Sequence, residues 1–210
     1  MQLDSGHLAA MPQRQRAALI NSLSGYKSAN LVGTRSAAGQ TNLAIVSSVF
    51  HLGSDPALMG FISRPPSVER HTLNNIEATG FYTLNHIHAG MIEPAHQTSA
   101  RYPESVSEFE ATGLTPAAGD ICQAPFVRES RIRLGMALRD MKAIELNNTV
   151  LVIGEIIEVH LPEGAIGEDG FVDIEAHGTV AISGLDSYHH GQRLCRLSYA
   201  KPDQPLRKLD

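Results

Sequence analysis

LVGTRSAAGQTNLAIVSSVFHLGSDPALMGFIS, the stretch from Leu31 to Ser63, decides the fold. Short apolar and β-branched runs alternate in it with clusters of Gly, Ser, Asp and Pro, which is the pattern of strands joined by turns. It predicts strands at residues 31–35, 43–50 and 57–63, with turns at 38–40 and 53–56. Because parallel strands need crossovers of a dozen or more residues, connections this short favour an antiparallel meander.

The rest of the chain continues the β pattern with few helices. We predict a helix that is capped by Ser67, places Leu73 and Ile76 on one face and ends at Gly80. A capping box at residues 105–108 predicts a second short helix that closes at Gly113. Apolar alternation and long apolar runs predict further strands at 81–87, 132–138, 150–161 and 177–182.

Many short strands with few helices predict a mainly β fold, a closed barrel that carries helices on its outside. Residues 1–27 are predicted to form an N-terminal arm with a short helix through Leu23. Residues 28–200 would form the barrel and residues 201–210 a polar tail. The chain shows no internal repeat or linker, so we predict a single domain.

Composition narrows the function. The 210 residues are 42% hydrophobic and 19% charged, with a formal net charge of −5, which disfavours nucleic acid as a partner. Membrane spans need about 20 apolar residues, and the chain has no such run or secretory signal, so we expect a cytoplasmic protein. Its two cysteines, Cys122 and Cys195, form no CxxC pair. The ten histidines lack HExxH or other shared ligand spacing, so we predict no metal centre.

Residues 42–72 concentrate polar groups that suit a phosphate and a flat heteroaromatic ring. Phosphates bind hydroxyl and backbone donors, a cation and the positive end of a helix. Thr72 supplies a hydroxyl on the helix after Ser67, and Arg64 or Arg70 could supply the cation. Ser47 and Ser48 could hydrogen-bond the ring edge. The residues alone leave an alternative open: a barrel-lining serine pair and surface arginines.

Several motifs in this order resemble the flavin reductase-like, FMN-binding split-barrel family. The resemblance covers residues 30–190 and rests on LVGTR (31–35), NLAIVSS (42–48), SDP (54–56), MGFISR (59–64), HTLNNI (71–76), YPESVSEFEATGLTP (102–116) and VIGEIIEVH (152–160). Their family counterparts include N-x-A-x-x-S-S, K-x-T-x-x-N-I, S-E-F-E-x-x-G-L-T-P and G-E-V-x-x-V-H.

The resemblance implies a six-stranded antiparallel Greek-key barrel, the FMN-binding split β-barrel. It further implies a homodimer with the flavin in a groove near the subunit interface. Carried over residue by residue, the isoalloxazine ring or ribityl chain would contact Asn42, Ser47, Ser48 and Val49, and the phosphate would be held by Arg64, His71 and Thr72. The family often has lysine or arginine where this chain has His71, so the phosphate cation could be His71, Arg70 or Arg64.

The implied activity is that of an FMN-binding oxidoreductase that takes hydride from NADH or NADPH. FMN is favoured over FAD because the site offers donors for one phosphate. The flavin carries the chemistry, so we assign no catalytic acid or base. The alternatives are a non-enzymatic flavin- or heme-binding module on the same barrel and, less favoured, a metal-dependent hydrolase.

Two features of the last third of the chain complete the predictions. Tyr188, His189 and His190 resemble an aromatic and histidine segment beside the flavin, where one histidine could touch the nicotinamide; a polar surface loop is the alternative. The prolines that often precede the first barrel strand are replaced by residues 28–30 (Ser-Ala-Asn), which affects only the arm. Cys195 lies between Leu194 and Leu197 and is predicted to belong to the core.

Overall fold

The computed structural model of the protein describes residues 1–65 and 71–209. Five α-helices lie among these residues: α1 (Ser5–Ala10), α2 (Gln13–Leu23), α3 (His71–Thr79), α4 (Ile92–Gln97) and α5 (Glu108–Thr112). Twelve strands lie there too: β1 (Lys27–Ser28), β2 (Asn30–Arg35), β3 (Thr41–Val46), β4 (Phe50–Ser54), β5 (Ala57–Ser63), β6 (Phe81–His86), β7 (Pro116–Ala117), β8 (Phe126–Val127), β9 (Arg133–Ile144), β10 (Thr149–His160), β11 (Val180–Ser183) and β12 (Ser187–His190).

Seven strands form the main sheet in the order β3-β2-β6-β9-β10-β5-β4, and every neighbouring pair is antiparallel. A second sheet has the order β1-β11-β12, and β7 pairs with β8. The second sheet begins at β1, one residue before β2, so it continues the path of the chain into the barrel.

The main sheet has to curl because its two edge strands are consecutive in the chain. Only residues 47–49 join β3 to β4, and the four steps from Val46 to Phe50 reach at most about 14 Å. A flat sheet of seven strands would separate its edges by about 29 Å. The side chain of Ser48 adds to the closure, since its Oγ donates to the Ile62 carbonyl (3.0 Å) and accepts from the Ile62 N–H (3.1 Å) on β5.

Two apolar clusters lie on opposite faces of the curled sheet. One contains Val32, Phe61, Tyr82 and Met136 and is completed by Leu73 and Ile76 of α3. The other contains Leu31 and Leu43 from the opposite face of the strands, together with residues of α4, α5 and β11. Alternation between Leu31 and Val32 therefore supplies both clusters from one strand. Helix α3 is held by the first cluster, which fixes His71 and Thr72 at its N-terminal end.

A buried carboxylate fastens a loop to the barrel. Glu158 on β10 accepts hydrogen bonds from three consecutive backbone N–H groups, those of Asp120 (2.9 Å), Ile121 (3.0 Å) and Cys122 (2.7 Å). The same carboxylate also contacts the His160 ring, whose Nε2 is 2.7 Å from Glu158 Oε1. Burial alone would raise the pKa of Glu158, but these hydrogen bonds outweigh burial and lower it to about 2. The carboxylate thus stays charged, and it serves as the hydrogen-bond acceptor for three backbone N–H groups of the loop.

The mainly β prediction and the antiparallel barrel are confirmed, with seven strands in the main sheet where the resemblance implied six. The predicted strand 43–50 is interrupted at residues 47–49, where the chain passes between sheet edges. The capping box was wrong: α5 begins at Glu108 after Ser107, whose side chain makes no capping hydrogen bond. Gly80 and Gly113 do have the predicted left-handed backbone. Ser67 and Arg70 lie outside the described residues.

The prediction for Cys195 was also wrong, because its side chain is exposed. Residues 191–209 run outside the sheets, so the apolar neighbours Leu194 and Leu197 do not mark a core segment there. Within residues 1–65 and 71–209, no helix is long and apolar enough to span a membrane.

Candidate functional site

The seven residues that the resemblance assigns to a cofactor form two groups, one near each end of β3. The group where β3 begins comprises Asn42, His71 and Thr72. The group beyond the other end comprises Ser47, Ser48, Val49 and Arg64, which follows β5 two residues after Ile62. The six residue steps from Asn42 to Ser48 span up to about 20 Å of extended chain.

Thr72 is held by a buried polar network at the start of β3. The Asn42 amide donates to Thr72 Oγ1 (2.9 Å) and lies 3.3 Å from Thr34 Oγ1. The Asn75 amide donates to the same Thr34 hydroxyl at 3.1 Å. Thr34, Asn42 and Asn75 are all buried. Because Thr72 Oγ1 accepts a hydrogen bond from Asn42, its own hydrogen can be donated to a ligand.

A polar pocket of about 270 Å³ opens next to this network. Its walls come from the β2–β3 hairpin (Gln40), from α3 (His71 and Asn74) and from the loop before α5 (Glu104). Pockets that enclose whole small molecules are usually 300–1,000 Å³ and mostly apolar. The size of this one therefore suits one end of a larger ligand, to which its lining offers hydroxyl, amide and imidazole groups.

Behind the pocket, a buried glutamate ties α5 to β3. Glu108 Oε2 accepts from the backbone N–H of Leu43 at 2.9 Å, and the hydroxyls of Ser107 and Thr41 are 2.8 Å apart. Burial raises the pKa of Glu108, while the Leu43 N–H and the charge of His71 act in the opposite direction. The wall of the pocket is thus fixed by hydrogen bonds between α5 and β3.

The second group has a structural duty as well as a predicted ligand role. The Ser48 hydroxyl both donates to and accepts from the backbone of Ile62, which uses its only hydrogen. The Val49 carbonyl accepts from Ser28 Oγ at 2.8 Å, and the Val49 side chain packs against the barrel cluster. Arg64 is exposed. Ser47 is half-buried in the same connector.

Residues 188–190 lie on β12 and do not form a loop. His189 Nε2 is 2.8 Å from Ser183 Oγ, and its ring contacts the Tyr26 ring at a centroid distance of 4.8 Å. Tyr188 Oη is 2.9 Å from His96 Nδ1. Through β11 and β1 this segment reaches Ser28, which bonds the connector at Val49. Strand β12 is therefore two strands away from Ser28, the residue of the second sheet that bonds the connector.

Sequence reasoning did not find Thr34, Asn75 and Glu108, which position the predicted residues. Asn75 carried a signal, because asparagine is unfavourable inside a helix unless its side chain has a partner. Thr34 gave no signal, since threonine is common in strands. Among residues 1–65 and 71–209, no three His, Cys, Asp or Glu side chains come together as metal ligands would.

Comparison with known proteins identifies the family and the fold over most of the chain. The sequence model of the flavin reductase like domain matches residues 25–185. A solved protein from Shewanella frigidimarina, assigned as a flavin reductase with a split barrel domain, is 53% identical. The match covers 95% of this chain and 100% of that one, with a TM-score of 0.92. This likeness confirms the split-barrel fold.

Two more distant structures share the fold at lower identity. Nitrilotriacetate monooxygenase component B from Bacillus cereus is 18% identical, covers 94% of this chain and 98% of that one, and has a TM-score of 0.81. The 2-nitrobenzoate 2-nitroreductase of Pseudomonas fluorescens is 20% identical, with 98% of each chain covered and a TM-score of 0.82. At these identities the likeness is one of fold alone.

Proposed function

Because this chain belongs to the flavin reductase like family, whose members are flavin-linked oxidoreductases, we propose that it binds FMN and transfers hydride to it from NADH or NADPH. The observation that supports this most directly is the polar pocket beside the Asn42–Thr72 network. It places a hydroxyl donor and an imidazole at the N-terminal end of α3, where the helix dipole favours an anion.

The residues present fit one phosphate group. Thr72 can donate its hydroxyl hydrogen, and His71 beside it can add a second donor and a positive charge. Asn42 acts behind Thr72 in this proposal, because its amide hydrogens point to Thr72 and Thr34. Donors for a single phosphate favour FMN over FAD, which carries a diphosphate and an adenosine.

The ring would lie toward the connector at residues 47–49. Ser47 and backbone groups can meet the polar edge of a flat heteroaromatic ring, while Val49 offers an apolar surface next to the barrel cluster. Ser48 would keep this connector in place through Ile62. Arg64 is exposed directly after β5, beside this connector and away from Thr72, so it would face the solvent-side edge of the ligand.

When bound, the flavin supplies the capacity to accept hydride, so the protein needs to bind, orient and exclude water. We therefore assign no side chain as acid or base. His189 and Tyr26, which pack against each other beside the second sheet, would shape the place where a nicotinamide approaches. We also propose a homodimer with the flavin groove near the subunit interface, so that the partner covers the open side of the ligand.

Binding and reduction are tested separately. Fluorescence titration should give a lower Kd for FMN than for FAD, and tighter FAD binding would contradict the phosphate argument. Anaerobic stopped-flow mixing of the FMN complex with NADH and with NADPH should bleach the flavin absorption. Tight FMN binding without bleaching by either nucleotide would instead support the non-enzymatic flavin-binding module.

A further inference from the structure

The two ends of the chain fold into ordered elements that their own barrel does not cover. Neither α1 nor α2 has a buried residue, although α2 carries Ile20 and Leu23 three positions apart. Leu23 is 71% exposed and the following Tyr26 is 74% exposed. Isolated helices of 6 and 11 residues are marginal in water, since most helix stability in proteins comes from packing of an apolar face.

The C-terminal end likewise forms an ordered element whose apolar side chains are exposed, in this case a β-hairpin. Residues 196–209 fold back on themselves through Leu197–Lys208 and Lys201–Gln204 bridges, closed by the bond from the Ser198 N–H to the Arg207 carbonyl at 2.9 Å. Apolar side chains in this hairpin and just before it are exposed, Tyr199 to 89% and Leu194 to 92%. A lone two-stranded hairpin is at best marginally stable in water, so this one needs a surface to pack on.

Both segments are nevertheless fixed at their base. Arg16 donates to the carbonyls of Leu8, Ala9 and Met11, which locks α1 to α2. Lys27 Nζ donates to the Gly184 carbonyl at 2.7 Å, which ties the end of the arm to the turn between β11 and β12. At the other end, Arg193 and Arg196 pair with Asp173 and Asp169, and both guanidinium groups lie over the Phe171 ring. The segments are therefore presented in a defined place with their apolar sides exposed.

The total surface area indicates how much cover is missing. The chain exposes 12,805 Å², whereas a compact monomer of 22.7 kDa exposes about 9,500 Å². The difference of about 3,300 Å² per chain is larger than the roughly 800 Å² that each partner buries in a standard interface, and it is no smaller than each partner's share of the roughly 2,000–5,000 Å² that permanent assemblies bury in total. A transient contact would not account for it.

Charge identifies the partner. Residues 191–210 carry five Lys and Arg against two Asp, a net charge of +3, and residues 1–30 carry three against one, a net charge of +2. Residues 31–190 carry nine Lys and Arg against nineteen Asp and Glu, a net charge of −10. Basic ends and an acidic body attract each other between two copies of the same chain. Paired, symmetric assemblies are also the commonest among soluble proteins.

We infer that the terminal segments, residues 1–26 and 194–209, dock onto a second copy of this chain and form most of its dimer interface. The inference rests on the homodimer of the proposed function and names the elements that build it. In the dimer, α1, α2 and the C-terminal hairpin of each subunit pack against the barrel of its partner. The exposed apolar side chains of both segments then become buried.

Paired substitutions test each segment. Ile20→Asp with Leu23→Asp alters the helical arm, and Tyr199→Asp with Leu206→Asp alters the hairpin. Leu146→Asp is the matched control, because Leu146 is 99% exposed in the turn between β9 and β10 and lies on neither segment. Light scattering should give about twice 22.7 kDa for the wild type and the control. Each pair should raise the dimer Kd by about a hundredfold or more, since two apolar contacts are lost on each subunit.

Circular dichroism and an FMN titration accompany every variant. A wild-type chain that is monomeric, or either pair leaving the Kd unchanged in a folded protein, overturns the inference. A monomeric wild type that still binds FMN would overturn the inference together with the proposed homodimer, and would leave the proposed flavin binding and hydride transfer standing. A dimer that depends on both segments but binds no flavin would support the inference and contradict the proposed flavin binding.

Discussion

Thr72 shows how a single residue is prepared for a ligand by neighbours that never touch the ligand. Its hydroxyl accepts from Asn42, Asn42 is within reach of Thr34, and Thr34 accepts from Asn75. Each member is buried or half-buried, so the chain of bonds sets the direction of the Thr72 hydrogen. A preorganised donor of this kind loses little freedom when an anion binds.

Thr72→Ala should weaken FMN by about 1.5–3 kcal/mol, the value of a hydrogen bond to a charged group. Riboflavin lacks the phosphate, so it should bind the wild type and the variant nearly equally. Fluorescence titrations of both ligands measure the two affinities. Thr79→Ala is the matched control on the same helix, because the Thr79 hydroxyl bonds the Asn75 carbonyl and lies away from the pocket. An unchanged ratio of FMN to riboflavin affinity would place the phosphate elsewhere.

The sequence predicted seven site residues, but it did not predict their division into two groups. Spacing put Asn42 close to Ser47 and Ser48 in the chain, and the extended strand between them carries the two ends apart. Conversely, Asn42 and Thr72 are thirty residues apart in sequence and 2.9 Å apart in space. The contact depends on how α3 crosses the end of β3, which no local pattern encodes.

Among the elements, the connector at residues 47–49 shows that one motif can have several roles. A pair of serines at the end of a strand suggested ligand binding, or a barrel-lining pair. Ser48 has a third use, as a side-chain substitute for main-chain pairing between the end of β3 and β5. Strand periodicity located β3 and β5. The hydrogen bonds between Ser48 and Ile62 form only when the sheet closes, so a prediction made strand by strand could not include them.

Ser48→Ala should therefore destabilise the protein even without flavin. Both hydrogen bonds with Ile62 are lost and its backbone groups are left unsatisfied in a half-buried seam, which costs about 1–3 kcal/mol. Urea unfolding of the flavin-free protein measures this free energy. Ser47→Ala serves as the neighbouring control and should change it by less than about 0.5 kcal/mol. Equal unfolding free energies for Ser48→Ala and the wild type would show that the seam does not depend on this side chain.

At the scale of the whole molecule, prediction succeeded where short-range pattern and long-range packing agree. The hairpins β2–β3 and β9–β10 follow directly from apolar runs and turn residues, whereas β4 was not predicted as a strand of its own. The C-terminal hairpin was read as a polar tail, and Cys195 as core. Its apolar residues have no partner surface in their own barrel, so their pattern does not report burial in a single chain.

Two buried ionisable groups should give the whole molecule a two-stage response to acid. Burial lowers the pKa of His86 to about 4, so the folded state resists its protonation. As pH falls from about 6.5 to 4, the unfolded state binds a proton that the folded state refuses, and stability falls by up to about 3 kcal/mol. The lowered pKa of Glu158 acts later: its contribution is complete above about pH 4.5 and disappears as pH falls toward 2.

Single substitutions separate the two stages in urea unfolding curves recorded from pH 7 to pH 2.5. His86→Gln removes the upper titration, so its unfolding free energy should change less than that of the wild type between pH 6.5 and 4. Glu158→Gln should be less stable at pH 7, because an amide accepts the three backbone N–H groups more weakly than a carboxylate. Its stability should then fall less than that of the wild type below pH 4.5. His51→Gln, at an exposed position on β4, is the control and should follow the wild-type curve throughout. If His86→Gln also follows that curve, the loss of stability above pH 4 arises from another group, and burial of His86 in its neutral form is not what limits the fold in mild acid.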